Sequence, residues 1–256
     1  MDSRIRPILA ACFVALTSGA VACDSPAGPS ATTLPLQRET ASMQYYYAAG
    51  DTIDVDWQET YNAWALGRLG VTPPQRLEYH KYLSRSDMGR HIGISSTNGY
   101  SEPDKFRIHS IWPQDNHEVV HVYSSMIGRP SDFFHEGFAV SFQTNPRDGD
   151  FTVRFTRLQV HDACRTYLAT GALPRPLVNY VATSGFRSIQ DSTMSYEMAG
   201  SFVLYLTERF GLPAVLDLLR GGGGTESLAT IQARMRAVLG LSVEEAERDW
   251  LAMLTK

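Results

Sequence analysis

The chain has 256 residues and a formal net charge of −4, with 43% apolar and 20% charged residues. This composition is typical of a globular domain and excludes collagen-like, coiled-coil and wholly disordered chains. Because a nucleic-acid-binding surface needs a surplus of basic residues, the acidic balance predicts no nucleic acid partner.

The N-terminus has the pattern of an export signal. Arg4 and Arg6 form a positive region ahead of an apolar stretch, residues 8–22, that is too short to span a bilayer comfortably. We therefore predict a signal peptide over residues 1–22 and export of the rest of the chain.

The end of this signal resembles the lipobox of bacterial lipoproteins. Ala20-Val21-Ala22-Cys23 has small residues before a cysteine, with alanine where leucine is commonest. The resemblance implies export across the bacterial inner membrane and a lipid on Cys23, which anchors the protein on the periplasmic side of the cell envelope. Residues 23–40 are then the lipidated cysteine and a flexible tether. A soluble periplasmic or secreted form is the alternative.

Residues 41–256 are predicted to form one domain of the α+β class. Its first third alternates apolar and polar residues as strands do, apart from one stretch with helical spacing that stops at Gly70. This pattern predicts a small mixed β-sheet with a helix across it. The predicted strands cover residues 43–48, 76–83, 91–94 and 106–112, and the predicted helix covers residues 54–69.

From residue 116 onward the pattern is mainly helical. Ser242 and Glu245 form a capping-box pattern at the start of the last helix. The four glycines at residues 221–224 are predicted to be a flexible connector between helices. The predicted helices cover residues 116–127, 132–144, 155–170, 194–210, 213–219 and 243–254.

The clearest chemical pattern is a histidine pair one helical turn apart. His117-Glu118-Val119-Val120-His121 has the form HExxH on a predicted helix, so both imidazoles lie on one face and reach one zinc ion. Glu118 lies beside the open side of the metal, where it can take a proton from zinc-bound water as the general base. Two structural histidines without a metal are the alternative.

A catalytic zinc ion needs a third protein ligand and a free fourth position. Gly128-Arg129-Pro130 ends the predicted helix and lets the chain turn back, so that Phe133-Phe134-His135-Glu136-Gly137-Phe138-Ala139 can approach the metal. This segment resembles the W-L-x-E-G-x-A motif of gluzincins, in particular the peptidase MA-like and aminopeptidase N-type metallopeptidases. The resemblance implies that Glu136 is the third ligand; Asp132 and His135 are rival ligands.

A second segment is similar to the same family. Tyr196-Glu197-Met198-Ala199-Gly200 resembles the Y-E-K-G segment of aminopeptidase N-type enzymes, with methionine in place of lysine and one inserted alanine. The resemblance implies that Tyr196 donates a hydrogen bond to the oxyanion during hydrolysis. Glu197 is predicted to be an exposed helix residue. Gly99 to Pro103 do not match the G-x-M-E-N segment that binds a free amino terminus, so aminopeptidase specificity is not implied.

Together the resemblances imply a thermolysin-like catalytic domain with Zn²⁺ as cofactor and a peptide or protein as substrate, bound to a membrane through its lipid. A non-catalytic zinc-binding envelope lipoprotein, acting as a binding or scaffolding module, is the alternative from another class. Zinc-dependent hydrolysis of a non-peptide bond would use the same residues. The sequence predicts no oligomeric state. Three arginines are candidates for contact with a substrate carboxylate: Arg129, Arg175 and Arg187.

Overall fold

A five-stranded mixed β-sheet forms the first part of the fold. Its strands are β1 (Leu36–Glu39), β2 (Met43–Tyr47), β3 (Leu77–Lys81), β4 (Gly99–Glu102) and β5 (Arg107–Ser110). The strand order is β1-β2-β3-β5-β4, in which β2, β3 and β5 are parallel and the two edge strands pair antiparallel. A computed structural model of the protein describes residues 33–256, so the predicted signal peptide and Cys23 lie outside the described residues.

Apolar side chains at alternate positions of β2 and β3 give the sheet one buried face. Tyr79 and Ile108 are fully buried on it, and helix α1 (Val55–Leu69) packs across it. The Tyr45 hydroxyl ties the sheet to this helix, because it donates a hydrogen bond of 2.7 Å to the Glu59 carboxylate. The predicted mixed sheet with a helix across it is therefore confirmed.

The structure differs from the sequence prediction at three places in this part, one of which is β4, a strand that was not predicted. Residues 91–94, predicted as a strand, include the end of helix α2 (Arg85–Ile92), which begins where the Ser84 hydroxyl accepts a hydrogen bond from a backbone amide. Residues 36–39, which the prediction assigned to the tether, form β1. The four side chains of β1 are all exposed, so backbone pairing alone forms this strand and no apolar alternation reveals it.

The rest of the described chain is mainly helical, which confirms the α+β class. The helix predicted from residue 155 begins later, because a hairpin of β6 (Arg154–Phe155) and β7 (Leu158–Gln159) precedes helix α5 (Val160–Thr170). Helix α9 is absent from the sequence prediction, and the predicted capping box of Ser242 and Glu245 is present at α10. The helices are α3 (Asn116–Ser125), α4 (Asp132–Ser141), α5 (Val160–Thr170), α6 (Thr183–Phe186), α7 (Ser192–Phe210), α8 (Leu212–Arg220), α9 (Leu228–Leu239) and α10 (Val243–Leu254).

Helices α4 and α7 are in close contact through two glycines. A Cβ atom at Gly137 would lie 2.5 Å from the Ala199 carbonyl oxygen, and one at Gly200 would lie 2.2 Å from a methyl carbon of Val140. Since no side chain fits at either position, the two helix backbones approach more closely than larger residues would allow. Within residues 33–256, no helix combines the length and the apolar character needed to span a membrane.

Candidate metal centre

The two histidines of α3 and one glutamate of α4 converge on a single point. His117 Nε2 lies 3.0 Å from His121 Nε2, and Glu136 Oε2 lies 3.0 Å and 3.1 Å from these two atoms. The three residues form a group that could hold a metal ion. We call the arrangement of His117 Nε2, His121 Nε2 and Glu136 Oε2 the triangle. The helical spacing of the histidines sets one side of it, and the packing of α4 against α3 sets the other two sides.

The triangle has the donor chemistry of a metal site. Two imidazole nitrogens and one carboxylate oxygen face one another, and they repel unless a proton or a cation lies between them. A tetrahedral zinc site with metal–ligand distances of 2.0–2.1 Å has edges of about 3.3–3.4 Å between ligand atoms. The observed edges are a few tenths of an ångström shorter, so a small outward movement of the side chains would admit the ion.

The angle between the two ligand-bearing helices depends on close backbone contact. The turn between them begins at Gly128, where a Cβ atom would lie 2.0 Å from the Leu219 carbonyl oxygen. At Gly222 a Cβ atom would lie 2.4 Å from the backbone of Pro130, and the Arg129 amide donates to the Gly222 carbonyl. The glycine-rich segment 221–224 connects α8 and α9, as predicted, and it is packed on this turn.

The start of α4 is fixed by the segment that follows the glycines. The Glu226 carboxylate accepts a hydrogen bond of 2.8 Å from the Ser131 amide and is itself paired with Arg234 in a buried position. The Ser131 hydroxyl donates to the Val181 carbonyl oxygen. Because the chain is held at Ser131, the residue that caps α4, the position of Glu136 in the second turn of this helix is defined.

Each histidine is oriented by a hydrogen bond to its second ring nitrogen. His117 Nδ1 lies 2.9 Å from the side-chain Nε2 of Gln143, and His121 Nδ1 lies 3.1 Å from His135 Nε2. Burial and the neighbouring imidazole lower the pKa of His135 to about 3, so its ring is neutral and can accept the hydrogen bond. His135 thus contacts the far side of the His121 ring, and it does not join the triangle that Glu136 completes.

The carboxylate of Glu136 is ionised in this environment. Its burial opposes the charge, but the attraction of His121 and hydrogen bonds with both imidazoles outweigh burial and hold its pKa well below its usual range. The second oxygen, Oε1, lies 3.2 Å from Arg187 Nη2. The rival ligand Asp132 also faces Arg187, and it lies outside the triangle.

Glu118 lies between the start of α3 and the edge strand β4. Its amide donates to the carboxylate of Asp115, the residue that caps α3, and its side chain faces Gly99 and Ser101. Burial, followed by the nearby Asp115 charge, raises the pKa of the Glu118 carboxyl. A raised pKa suits a group that takes up a proton near neutral pH.

Tyr196 lies beside the histidine pair, next to the ring of His117. Its ring centroid is 5.7 Å from that of His117, and it packs between Phe155 and Phe186 at 5.3 Å and 6.0 Å. Burial raises the pKa of the Tyr196 hydroxyl, which therefore stays protonated and can donate a hydrogen bond. The Arg187 guanidinium faces this hydroxyl.

The residue after this tyrosine does not match the sequence prediction. Glu197, predicted to be exposed, is 1% exposed, and its carboxylate accepts hydrogen bonds from the hydroxyls of Tyr167 and Thr156. Helix α7 is enclosed by α4, α5 and α10, so it has buried positions on more than one face. A sequence pattern that assumes one buried face per helix therefore predicts Glu197 on the exposed side.

The edge strand β4 presents its two faces to different surroundings. Gly99 lies against Glu118, whereas Glu102 accepts a hydrogen bond of 2.7 Å from Lys105 and lies 3.1 Å from His109 Nε2. Residues of a strand alternate between faces, so Glu102 faces away from the histidine pair. The contact of Gly99 with Glu118 was not predictable from the sequence, since a glycine has no side chain that indicates a functional role.

No family model matches the chain, and no curated protein is similar to it at a significant level.

Proposed function

We propose that the protein is a zinc metallopeptidase with a thermolysin-like catalytic domain of the gluzincin type. The observation that carries this proposal is the triangle of His117, His121 and Glu136, with Glu118 and Tyr196 beside it. Three protein ligands leave one coordination position free, as catalytic zinc sites require, whereas structural zinc sites normally have four. We also propose that the chain is exported and anchored by a lipid on Cys23.

The ligands His117, His121 and Glu136 would hold Zn²⁺, which supplies Lewis-acid activation of a water molecule and of the substrate carbonyl. Glu118 accepts a proton from the attacking water through its carboxylate and returns it to the leaving amine. Tyr196 donates its hydroxyl proton in a hydrogen bond to the carbonyl oxygen as negative charge develops there. The aromatic rings around Tyr196 restrict the movement of this hydroxyl.

The edge strand favours an extended peptide as substrate. Among residues 33–256, β4 pairs with β5 alone, so the backbone groups of its second edge are available to another strand. An added peptide strand would pass the Glu118 carboxylate, which lies against Gly99. Main-chain hydrogen bonds of this kind bind a peptide with little dependence on its side chains.

The first experiment measures zinc stoichiometry and hydrolysis of an unfolded protein by the purified protein. We expect one zinc ion per chain and cleavage by the wild type. The Glu118→Gln variant should keep the zinc and lose cleavage, because an amide in place of the carboxylate cannot take up the proton. The His121→Ala variant should lose the zinc.

Three results would contradict the proposal. Undiminished cleavage by Glu118→Gln would show that Glu118 is not the base. One zinc ion without cleavage by the wild type would favour the non-catalytic binding module, and no zinc after metal-replete purification would reject the metal site.

A further inference from the structure

Arg187 contacts the glutamate of the metal centre through the oxygen that the histidines do not contact. Its Nη2 donates to Glu136 Oε1 over 3.2 Å, and its Nε donates to Asp132 Oδ2 over 2.5 Å. Glu136 Oε2 is the atom that faces both imidazoles. The two oxygens of this carboxylate are therefore held separately, one by the guanidinium and the other by the histidine pair.

The same guanidinium separates two like charges. Asp132 and Glu136 are one helical turn apart on α4, so their carboxylates lie on one face and repel each other. The Nε and Nη2 groups of Arg187 form one edge of a planar fork, and this edge spans both carboxylates. A lysine ammonium is a single point charge and lacks this geometry.

Core packing holds the backbone that carries Arg187. The preceding residue, Phe186, is 2% exposed, and its ring centroid lies 6.0 Å from those of Phe133 and Tyr196. At Gly185 a Cβ atom would lie 1.9 Å from a backbone carbonyl oxygen, so the chain is tightly packed there as well. The arginine side chain itself is about half exposed, at 54%. It extends from a fixed backbone toward the ligand.

We propose that Arg187 is a positioning residue of the metal centre, which fixes Glu136 so that Oε2 alone faces the metal and which neutralises Asp132 beside it. This inference rests on the proposed function in one respect, namely that the triangle binds zinc. Arg187 acts through Glu136 and does not itself contact the metal. Loss of a partner that orients a metal ligand typically lowers metal affinity about 10- to 100-fold.

The test is zinc affinity, measured on the purified protein by competition with a chromogenic chelator. We expect Arg187→Gln to bind zinc about 10- to 100-fold more weakly than the wild type. Arg187→Lys keeps the positive charge and loses the fork, so it should recover only part of the affinity. Arg129→Gln is the matched control, because Arg129 lies in the turn between α3 and α4 and pairs with the exposed Asp104. We expect it to bind zinc like the wild type.

The visible absorption of the cobalt(II)-loaded protein distinguishes a positioning role of Arg187 from a merely structural one. This absorption follows coordination geometry, so Arg187→Gln should change the spectrum of the cobalt-loaded protein and Arg129→Gln should not. Circular dichroism checks the fold of each variant. If Arg187→Gln does not fold, Arg187→Lys carries the test, and wild-type zinc affinity in that variant rejects a role for the fork.

Different results would reject the role of Arg187 and the proposed function. Unchanged zinc affinity and an unchanged cobalt spectrum in folded Arg187→Gln would overturn the role of Arg187 and leave the metal site intact. A wild-type protein that binds no zinc would overturn the proposed function itself.

Discussion

Replacement of Gly99 by alanine tests whether the edge strand holds Glu118 in the position that the proposed mechanism requires. A Cβ atom at this position would lie 2.7 Å from Glu118 Oε1 and 2.8 Å from its Cγ. Ordinary contact between such atoms begins near 3.4 Å, so the carboxylate must move by about 0.7 Å. A misplacement of about 1 Å in a catalytic group can cost about 100-fold in rate. We therefore expect kcat to fall about 100-fold, which corresponds to about 2.7 kcal/mol of transition-state stabilisation.

The assay compares kcat, KM and zinc content of Gly99→Ala with those of the wild type on one peptide. Zinc content should stay at one ion per chain, because the atoms that a Cβ at Gly99 would meet belong to Glu118 and Asp115 and not to a ligand. Gly67→Ala is the matched control, since a Cβ there meets nothing within 4 Å, and it should keep wild-type activity. A Gly99→Ala variant with kcat within a factor of about three of the wild type would refute this reasoning.

Two further predictions concern stability. Gly128→Ala should lower the free energy of unfolding, measured in urea, by about 1–3 kcal/mol, because its Cβ would lie 2.0 Å from a carbonyl oxygen. Gly223→Ala is the control, because a Cβ there meets nothing within 4 Å. Equal effects of the two substitutions would contradict close packing of the turn. Burial lowers the pKa of His80 to about 4, below the value of about 6.5 in an unfolded chain, so its contribution to stability is lost as the pH falls from 6.5 toward 4. The wild type should therefore lose about 2 kcal/mol more than His80→Gln between pH 7 and pH 5 in urea titrations, and an equal loss in both would reject this assignment.

The parts of the site that depend on local spacing were predictable from the sequence. His117 and His121 share a helix face because they are four residues apart, and any α-helix at this position brings them together. The position of Arg187 was not predictable in this way. It reaches Glu136 from a short helix about 50 residues later in the chain, and only tertiary packing defines that approach.

The parts of the fold that the sequence analysis missed have separate physical causes. The strand β1 is fully exposed and lacks an apolar pattern. Helix α9 carried a signal that was overlooked, since Ile231, Met235 and Leu239 are buried at a spacing of four residues after the capping residue Ser227. The packing of the glycine run before it on the turn between α3 and α4 was not predictable, because composition alone does not reveal a tertiary contact.

Two glycines link the fold to the chemistry. Gly137 follows Glu136 directly, and Gly200 lies one helical turn after Tyr196. Both glycines lie where α4 and α7 are in contact and no Cβ atom fits. A larger residue at either position would push the helices apart and would move the carboxylate and the tyrosine hydroxyl away from each other. Both glycines therefore have a structural role, since they set the distance between α4, which carries Glu136, and α7, which carries Tyr196.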